Sequence, residues 1–165
     1  MNYYEIPTKS TITQNLLDIA TNNDPWVFYY SFNTKIVPQD LILTEPFFQW
    51  LNNKHEFKAG LLKLNPFVCY DWHVDTRRGA SINMLVNTDA KSNCFFSDSK
   101  KGYVFNIEQL DYKSDTYYAF NSQTPHTVYN FDKPRYLLSI EFTKEKSELS
   151  FNQLVKDIQE YYEVL

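Results

Sequence analysis

Apolar and polar positions along the chain follow two different periods. Near the N-terminus Ile12, Leu16, Ile19 and Ala20 recur at helical spacing, and Thr11 with Gln14 fits a capping box, which predicts a helix over about residues 11–22. Near the C-terminus Phe151, Leu154, Val155, Ile158 and Tyr162 form one stripe. Ser150 with Gln153 supplies a second capping box, which predicts a helix over about 150–162, packed against the rest by that stripe. A short helix is expected around 47–53. Between these segments β-forming residues dominate, at 26–32, 59–64, 80–86, 103–107, 116–120, 126–129 and 135–142. Asn65-Pro66, Asn87-Thr88-Asp89 and Asp132-Lys133-Pro134 punctuate them as turns. Short strands at roughly ten-residue spacing predict a sandwich, barrel or jelly roll. The fold class expected is mainly β with flanking helices, a jelly roll carrying its helices outside.

Composition narrows the function. The 165 residues suit one domain, 1–165, that buries a core without staples. The net charge is -4 with both signs scattered, and no basic block appears, so nucleic acid is not an expected partner. Cys69 and Cys94 are the only cysteines, which fits a reducing compartment better than a disulfide framework. The opening residues lack a basic and then apolar leader, and no apolar run has the length of a membrane span, so a cytoplasmic protein without a membrane partner is expected. Three glycines are too few for a phosphate-cradling loop.

Candidate chemistry sits on three side chains. His73 and Asp75 stand at i and i+2, so on an extended strand they point to one face. His126 is the other histidine of the β region. Two imidazoles and a carboxylate on one face of an ion leave coordination positions open, as non-haem Fe(II) oxygenases require. Arg135 follows His126 by nine residues. A hairpin folded between Asn130 and Phe131 would set the two opposite each other, with Cβ atoms roughly 5 Å apart. A dicarboxylate chelating iron at one end would then place its far carboxylate on the guanidinium, whose planar fork suits it. Ser139 shares the strand face of Arg135 and adds a hydrogen-bond donor.

The stretch from Leu61 to Asp75 (LLKLNPFVCYDWHVD) resembles the first metal strand of prolyl-4-hydroxylase-like and aspartyl/asparaginyl-hydroxylase-like 2-oxoglutarate oxygenases. Pro125 to Ile140 (PHTVYNFDKPRYLLSI) resembles their second metal strand and cosubstrate strand. The resemblance covers roughly residues 58–143 and implies a double-stranded β-helix, cupin-like core. It implies Fe(II) on His73, Asp75 and His126, 2-oxoglutarate on Arg135, and Tyr70 lining the cosubstrate pocket. It implies a dioxygenase reaction in which O2 and 2-oxoglutarate give succinate, carbon dioxide and a hydroxylated C–H bond, with ascorbate supporting activity. Two departures stand out. Pro66-Phe67 replaces a frequent Pro-Gly, so that turn is expected to be rebuilt. The strand after the metal loop lacks a cosubstrate-binding tyrosine, and Asn83 is the expected substitute.

Blander readings accompany each residue. His73 and Asp75 also suit a surface ion pair, and Arg135 a solvated strand start. His55 lies in a polar stretch and is expected to be exposed. Arg77 and Arg78 either receive an anionic substrate at the pocket mouth or are simply solvated. Trp72, Tyr29 and Tyr30 are candidates for the substrate wall. Two other functions stay open: a cupin-like metal-binding domain that does not turn over 2-oxoglutarate, and a structural jelly roll. Arg135 favours the oxygenase, whose substrate would be a small molecule or a peptidyl side chain.

Overall fold

The computed structural model describes residues 1–100 and 103–164. The elements run β1 (Tyr3–Lys9), α1 (Thr13–Thr21), β2 (Val27–Tyr29), β3 (Phe32–Ile36), α2 (Gln39–Ile42), α3 (Pro46–Lys54), β4 (Phe57–Leu64), β5 (Cys69–His73), β6 (Ala80–Leu85), β7 (Ser92–Lys100), β8 (Tyr103–Leu110), β9 (Thr116–Asn121), β10 (His126–Asn130), β11 (Arg135–Phe142) and α4 (Phe151–Glu163). Two antiparallel sheets face each other. One orders its seven strands β1-β9-β6-β11-β4-β3-β2, and the other its four as β5-β10-β7-β8. The jelly-roll expectation holds, with the helices on the outer face of the larger sheet. No helix among the described residues is long and apolar enough to cross a membrane.

Strand alternation divides the interior in two. On β6, Ile82 and Met84 point outward into the core under the helices, together with Leu138 and Ile140 of β11 and Phe151, Leu154 and Ile158 of α4. The intervening residues Ser81 and Asn83 of β6, and Arg135, Leu137 and Ser139 of β11, face the space between the sheets. A smaller cluster of Cys94, Phe96, Leu110, Tyr118 and Phe120 fills part of that space. Both faces of these strands are therefore buried, which is why β6 is buried at every position.

Several local expectations change. The stretch 26–32 is not one strand: it turns at Tyr30, whose φ is 54°, into the β2–β3 hairpin. The first helix begins at Thr13 with Ile12 as its N-cap and no side-chain cap. Thr11 instead bonds buried Glu45, which accepts from its backbone N–H at 2.6 Å, its hydroxyl at 3.1 Å and the Tyr117 hydroxyl at 2.7 Å. A buried carboxylate with three donors outcompetes a helix cap. At α4 half of the capping box forms, Ser150 Oγ accepting from Gln153 N, while the Gln153 amide turns to Asp157.

His55 is buried, not exposed. Its Nε2 donates to Asp157 Oδ2 at 2.7 Å and its Nδ1 accepts from Lys144 Nζ at 3.1 Å. Asp157 also pairs with Lys54 at 2.9 Å. Burial works to raise the Asp157 carboxyl, but the bonds from Lys54, His55 and Gln153 prevail and hold it below its ordinary value. A polar stretch of sequence thus ties α3 to α4 through one internal ion network.

Candidate metal centre

The two candidate histidines are direct cross-strand partners: His73 of β5 pairs with His126 of β10, and their ring centroids lie 4.2 Å apart. Asp75 lies two residues past His73, its backbone N–H held by Ser122 O at 3.0 Å. Its Oδ1 is 3.7 Å from His73 Nε2 and 4.0 Å from His126 Nε2. One ligand atom from each of the three residues lies within 4.8 Å of the others.

Backbone carbonyls set the tautomers. His73 Nδ1 lies 2.7 Å from Asp71 O, and His126 Nδ1 lies 2.9 Å from Thr124 O. A carbonyl only accepts, so each Nδ1 carries a proton and Nε2 is the ring atom left to face the shared centre. His73 Nε2 is buried without a hydrogen-bond partner. Burial, then the nearby His73, pushes the His126 imidazole down, which keeps it neutral. Two imidazoles and a carboxylate around an unpartnered nitrogen fit a divalent ion of the Fe(II) type.

Arg78 bonds the other carboxylate oxygen, its Nη2 standing 2.8 Å from Asp75 Oδ2. The loop under it is fastened by Gln123, whose Nε2 donates to Asp75 O at 2.8 Å and Arg78 O at 2.7 Å. Gly79 lets the loop pass the Leu149 carbonyl, where a Cβ would collide. Arg77 turns outward to Glu145 at 2.6 Å. Both arginines line the cleft outside the metal residues, each with a carboxylate partner. Trp72 does not line the cavity around the metal residues or the cleft outside it. Tyr70 lines both and packs its ring 4.0 Å from that of His73.

Arg135 reaches the same cavity by a route that differs from the expected hairpin. The strands β10 and β11 belong to different sheets, so Arg135 is not opposite His126; its partner is Leu64 of β4. Asn130 makes the change of sheet possible. Its Nδ2 donates to Leu64 O, Asn65 O and Lys133 O, each at 2.9 Å, pinning the chain where it crosses. Arg135 is buried, with Nε 3.2 Å from Ser92 Oγ and its guanidinium over the Tyr112 ring at 5.6 Å. Asn83 and Tyr112 share this end of the cavity, Ser139 lines it further along β11, and the Asn83 Oδ1 is buried without a partner. Tyr112 escaped the sequence reading because it comes from the β8–β9 connection, distant from every motif. It stands beside Arg135 and Asn83, and burial pushes its phenol up, so it remains a hydrogen-bond donor.

No family model matches the sequence, and no curated protein matches it. Solved structures match its fold. A Pseudomonas putida prolyl-4-hydroxylase superimposes with a TM-score of 0.61 at 12% identity, over 87% of this chain and 92% of that one. The viral collagen prolyl hydroxylase of Paramecium bursaria Chlorella virus 1, solved with 2-oxoglutarate, gives 0.60 at 13% identity, over 86% and 95%. A Trichoplax adhaerens prolyl hydroxylase holding a hypoxia-inducible-factor peptide fragment gives 0.60 at 12% identity, over 85% and 81%. At such identities the likeness is one of fold, and this chain is folded as the prolyl-4-hydroxylases and other 2-oxoglutarate–Fe(II) oxygenases are.

Proposed function

We propose that the chain is a non-haem Fe(II), 2-oxoglutarate-dependent dioxygenase that hydroxylates an amino-acid side chain. The observation that carries this reading is a single cavity with two unlike ends. At one end two Nε2 atoms and a carboxylate oxygen converge; at the other a buried arginine stands beside Tyr112 and Asn83. A metal site without a dicarboxylate cosubstrate has no use for that arginine.

In this reading His73, Asp75 and His126 hold the ion and leave one side of it open. Bound there, Fe(II) supplies dioxygen activation coupled to oxidative decarboxylation of 2-oxoglutarate to succinate and carbon dioxide, with ascorbate keeping the metal reduced. Arg135 takes the far carboxylate through two charge-assisted hydrogen bonds. The Tyr112 hydroxyl and Ser139 donate beside it. Tyr70, its ring tilted against that of His73, closes the wall between the metal and the outer cleft and limits water. The protein's part is to orient the reactants. The peptide held by the Trichoplax relative supports a peptidyl substrate as one option.

Anaerobic titration of the Fe(II)-loaded protein with 2-oxoglutarate tests this directly. A metal-to-ligand charge-transfer band is expected, and succinate on admission of oxygen. Metal binding that persists unchanged in His73→Ala/His126→Ala would place the ion elsewhere and end this reading. Metal binding without the band would point to a cupin-like site.

A further inference from the structure

We propose that Ser122 is a further cosubstrate-binding residue, whose hydroxyl donates a hydrogen bond to the 2-oxoglutarate carboxylate beside the keto group, at the metal end. The proposal rests on the oxygenase reading and adds a contact at the opposite end of the cosubstrate from Arg135.

Strand alternation aims the side chain. Tyr118 and Phe120 of β9 belong to the cluster between the sheets, and Ser122, two residues beyond Phe120, lines the cavity on that same side. The Phe120 ring stands 4.9 Å from that of His126. The segment around Ser122 is pinned to the metal residues. Its own carbonyl accepts from Asp75 N at 3.0 Å, the Gln123 amide holds Asp75 O and Arg78 O, and the Thr124 carbonyl holds His126 Nδ1. A hydroxyl carried on backbone fixed at so many points has a set position.

That hydroxyl is unspent. Ser122 is 1% exposed, and its Oγ has no hydrogen-bond partner among the described residues. A buried hydroxyl without a partner costs stability, a cost that is recovered when a ligand supplies the acceptor. Asp75 carries the one carboxylate among the described residues that line this cavity, and its oxygens have other tasks. Oδ2 is held by Arg78, and Oδ1 faces the two histidines.

The cavity and the outer cleft differ in which reactant they present to Ser122. His73, Asp75 and Tyr70 line both spaces, whereas Ser122, His126 and Arg135 line the inner cavity alone. Ser122 therefore faces what lies between the metal and Arg135, and not what enters from the cleft. A 2-oxo acid that chelates through its keto oxygen and one carboxylate oxygen keeps the other carboxylate oxygen as an acceptor. Its far carboxylate belongs to Arg135. The free oxygen at the metal end is the acceptor that the Ser122 hydroxyl lacks, and its charge strengthens the bond.

The test separates the two ends of the ligand. The Fe(II) protein is titrated anaerobically with 2-oxoglutarate and with 2-oxovalerate, the five-carbon 2-oxo acid without the far carboxylate, and the charge-transfer band reports each affinity. Ser122→Ala should weaken both ligands by the same factor, about 10- to 100-fold, as for one hydrogen bond to a charged acceptor. Arg135→Ala should weaken 2-oxoglutarate alone. In Ser122→Ala neither Co(II) affinity nor the urea midpoint of the metal-free protein should fall, since no bond within the protein is lost. Unchanged 2-oxoglutarate affinity in Ser122→Ala overturns the proposal, and so does a loss confined to 2-oxoglutarate. A fall in Co(II) affinity or in the urea midpoint overturns it too, because the hydroxyl would then serve the metal loop or the fold. In each of these cases the parent still shows its band, and the oxygenase reading stands. A parent without the band ends that reading and this proposal with it.

Discussion

Arg78 holds Asp75 by the oxygen that faces away from the histidines, at 2.8 Å, and so leaves Oδ1 turned to the metal centre. A carboxylate fixed in this way needs no reordering to bind an ion. Arg78→Ala should lower divalent-metal affinity about 10- to 100-fold, the usual cost of removing an outer-shell partner. Arg78→Lys should restore only part of it, because the ammonium lacks the planar fork. Co(II) titration followed by its visible absorption measures this without turnover. Unchanged affinity in Arg78→Ala would make the pair a surface salt bridge and no more.

The metal-free protein should lose stability in mild acid. Burial, then His73, lowers the His126 imidazole to about 4. In the unfolded chain an imidazole titrates near about 6.5. Between those values the unfolded chain binds a proton that the folded chain refuses, so folded stability is full above about pH 6.5 and falls toward pH 4, by at most about 1.4 kcal/mol per pH unit. His126→Gln should flatten this slope even where it costs stability overall. Urea midpoints of both proteins across that range provide the check; parallel curves would assign the acid sensitivity to other groups.

What the sequence made legible was local. His73 and Asp75 are two apart on an extended segment, and their common face follows from strand geometry alone. The helix before the C-terminus was readable because Ser150 and its apolar stripe are contiguous. The turn after His126 was not readable as a change of sheet, because what drives it is the Asn130 amide reaching Leu64 and Asn65, far away in sequence. A symmetric hairpin set Arg135 beside the metal ligand for a reason the structure replaces. Opposite His126 stands His73, and Arg135 arrives from the facing sheet. Tyr112, Gln123 and the His55–Asp157 pair were invisible for the same reason: each acts through a contact between segments that no periodicity links.

The Pro66-Phe67 turn makes a separate prediction. Phe67 has a φ of 59° and is 85% exposed, so the bend has the left-handed backbone that favours glycine and carries a side chain that packs on little. A rebuilt turn was expected from the sequence; here Phe67 takes a left-handed backbone that costs a non-glycine residue. Phe67→Gly should stabilise the protein by about 1 kcal/mol, since the left-handed penalty disappears. Phe67→Ala keeps the Cβ and should stay within about 0.5 kcal/mol of the parent. Urea denaturation of the three proteins separates the backbone effect from the loss of the ring. A destabilised Phe67→Gly would mean that the ring, despite its exposure, contributes to the fold.

Arg135 makes the strongest demand on the oxygenase reading. Its guanidinium is buried in the cavity but is not among the metal-facing groups, so metal and cosubstrate binding should separate by mutation. Arg135→Ala should leave Fe(II) or Co(II) affinity near that of the parent. It should weaken 2-oxoglutarate by about 2–5 kcal/mol, because a two-point charged hydrogen bond is lost and the carboxylate is left buried. That is roughly 30- to several-thousand-fold in affinity. Arg135→Lys should recover part of it. Tyr112→Phe removes one neutral donor beside the same carboxylate and should cost about 1 kcal/mol, close to a typical single hydrogen bond. If both act on one carboxylate, the double variant Arg135→Ala/Tyr112→Phe should lose less than the sum of the two, since removing the charge already releases what the phenol holds. The charge-transfer band of the anaerobic Fe(II) complex reports each affinity. Full 2-oxoglutarate affinity in Arg135→Ala would show that the carboxylate is held elsewhere and remove Arg135 from the oxygenase reading, whereas a parent protein that binds metal but gives no band would favour the cupin-like function.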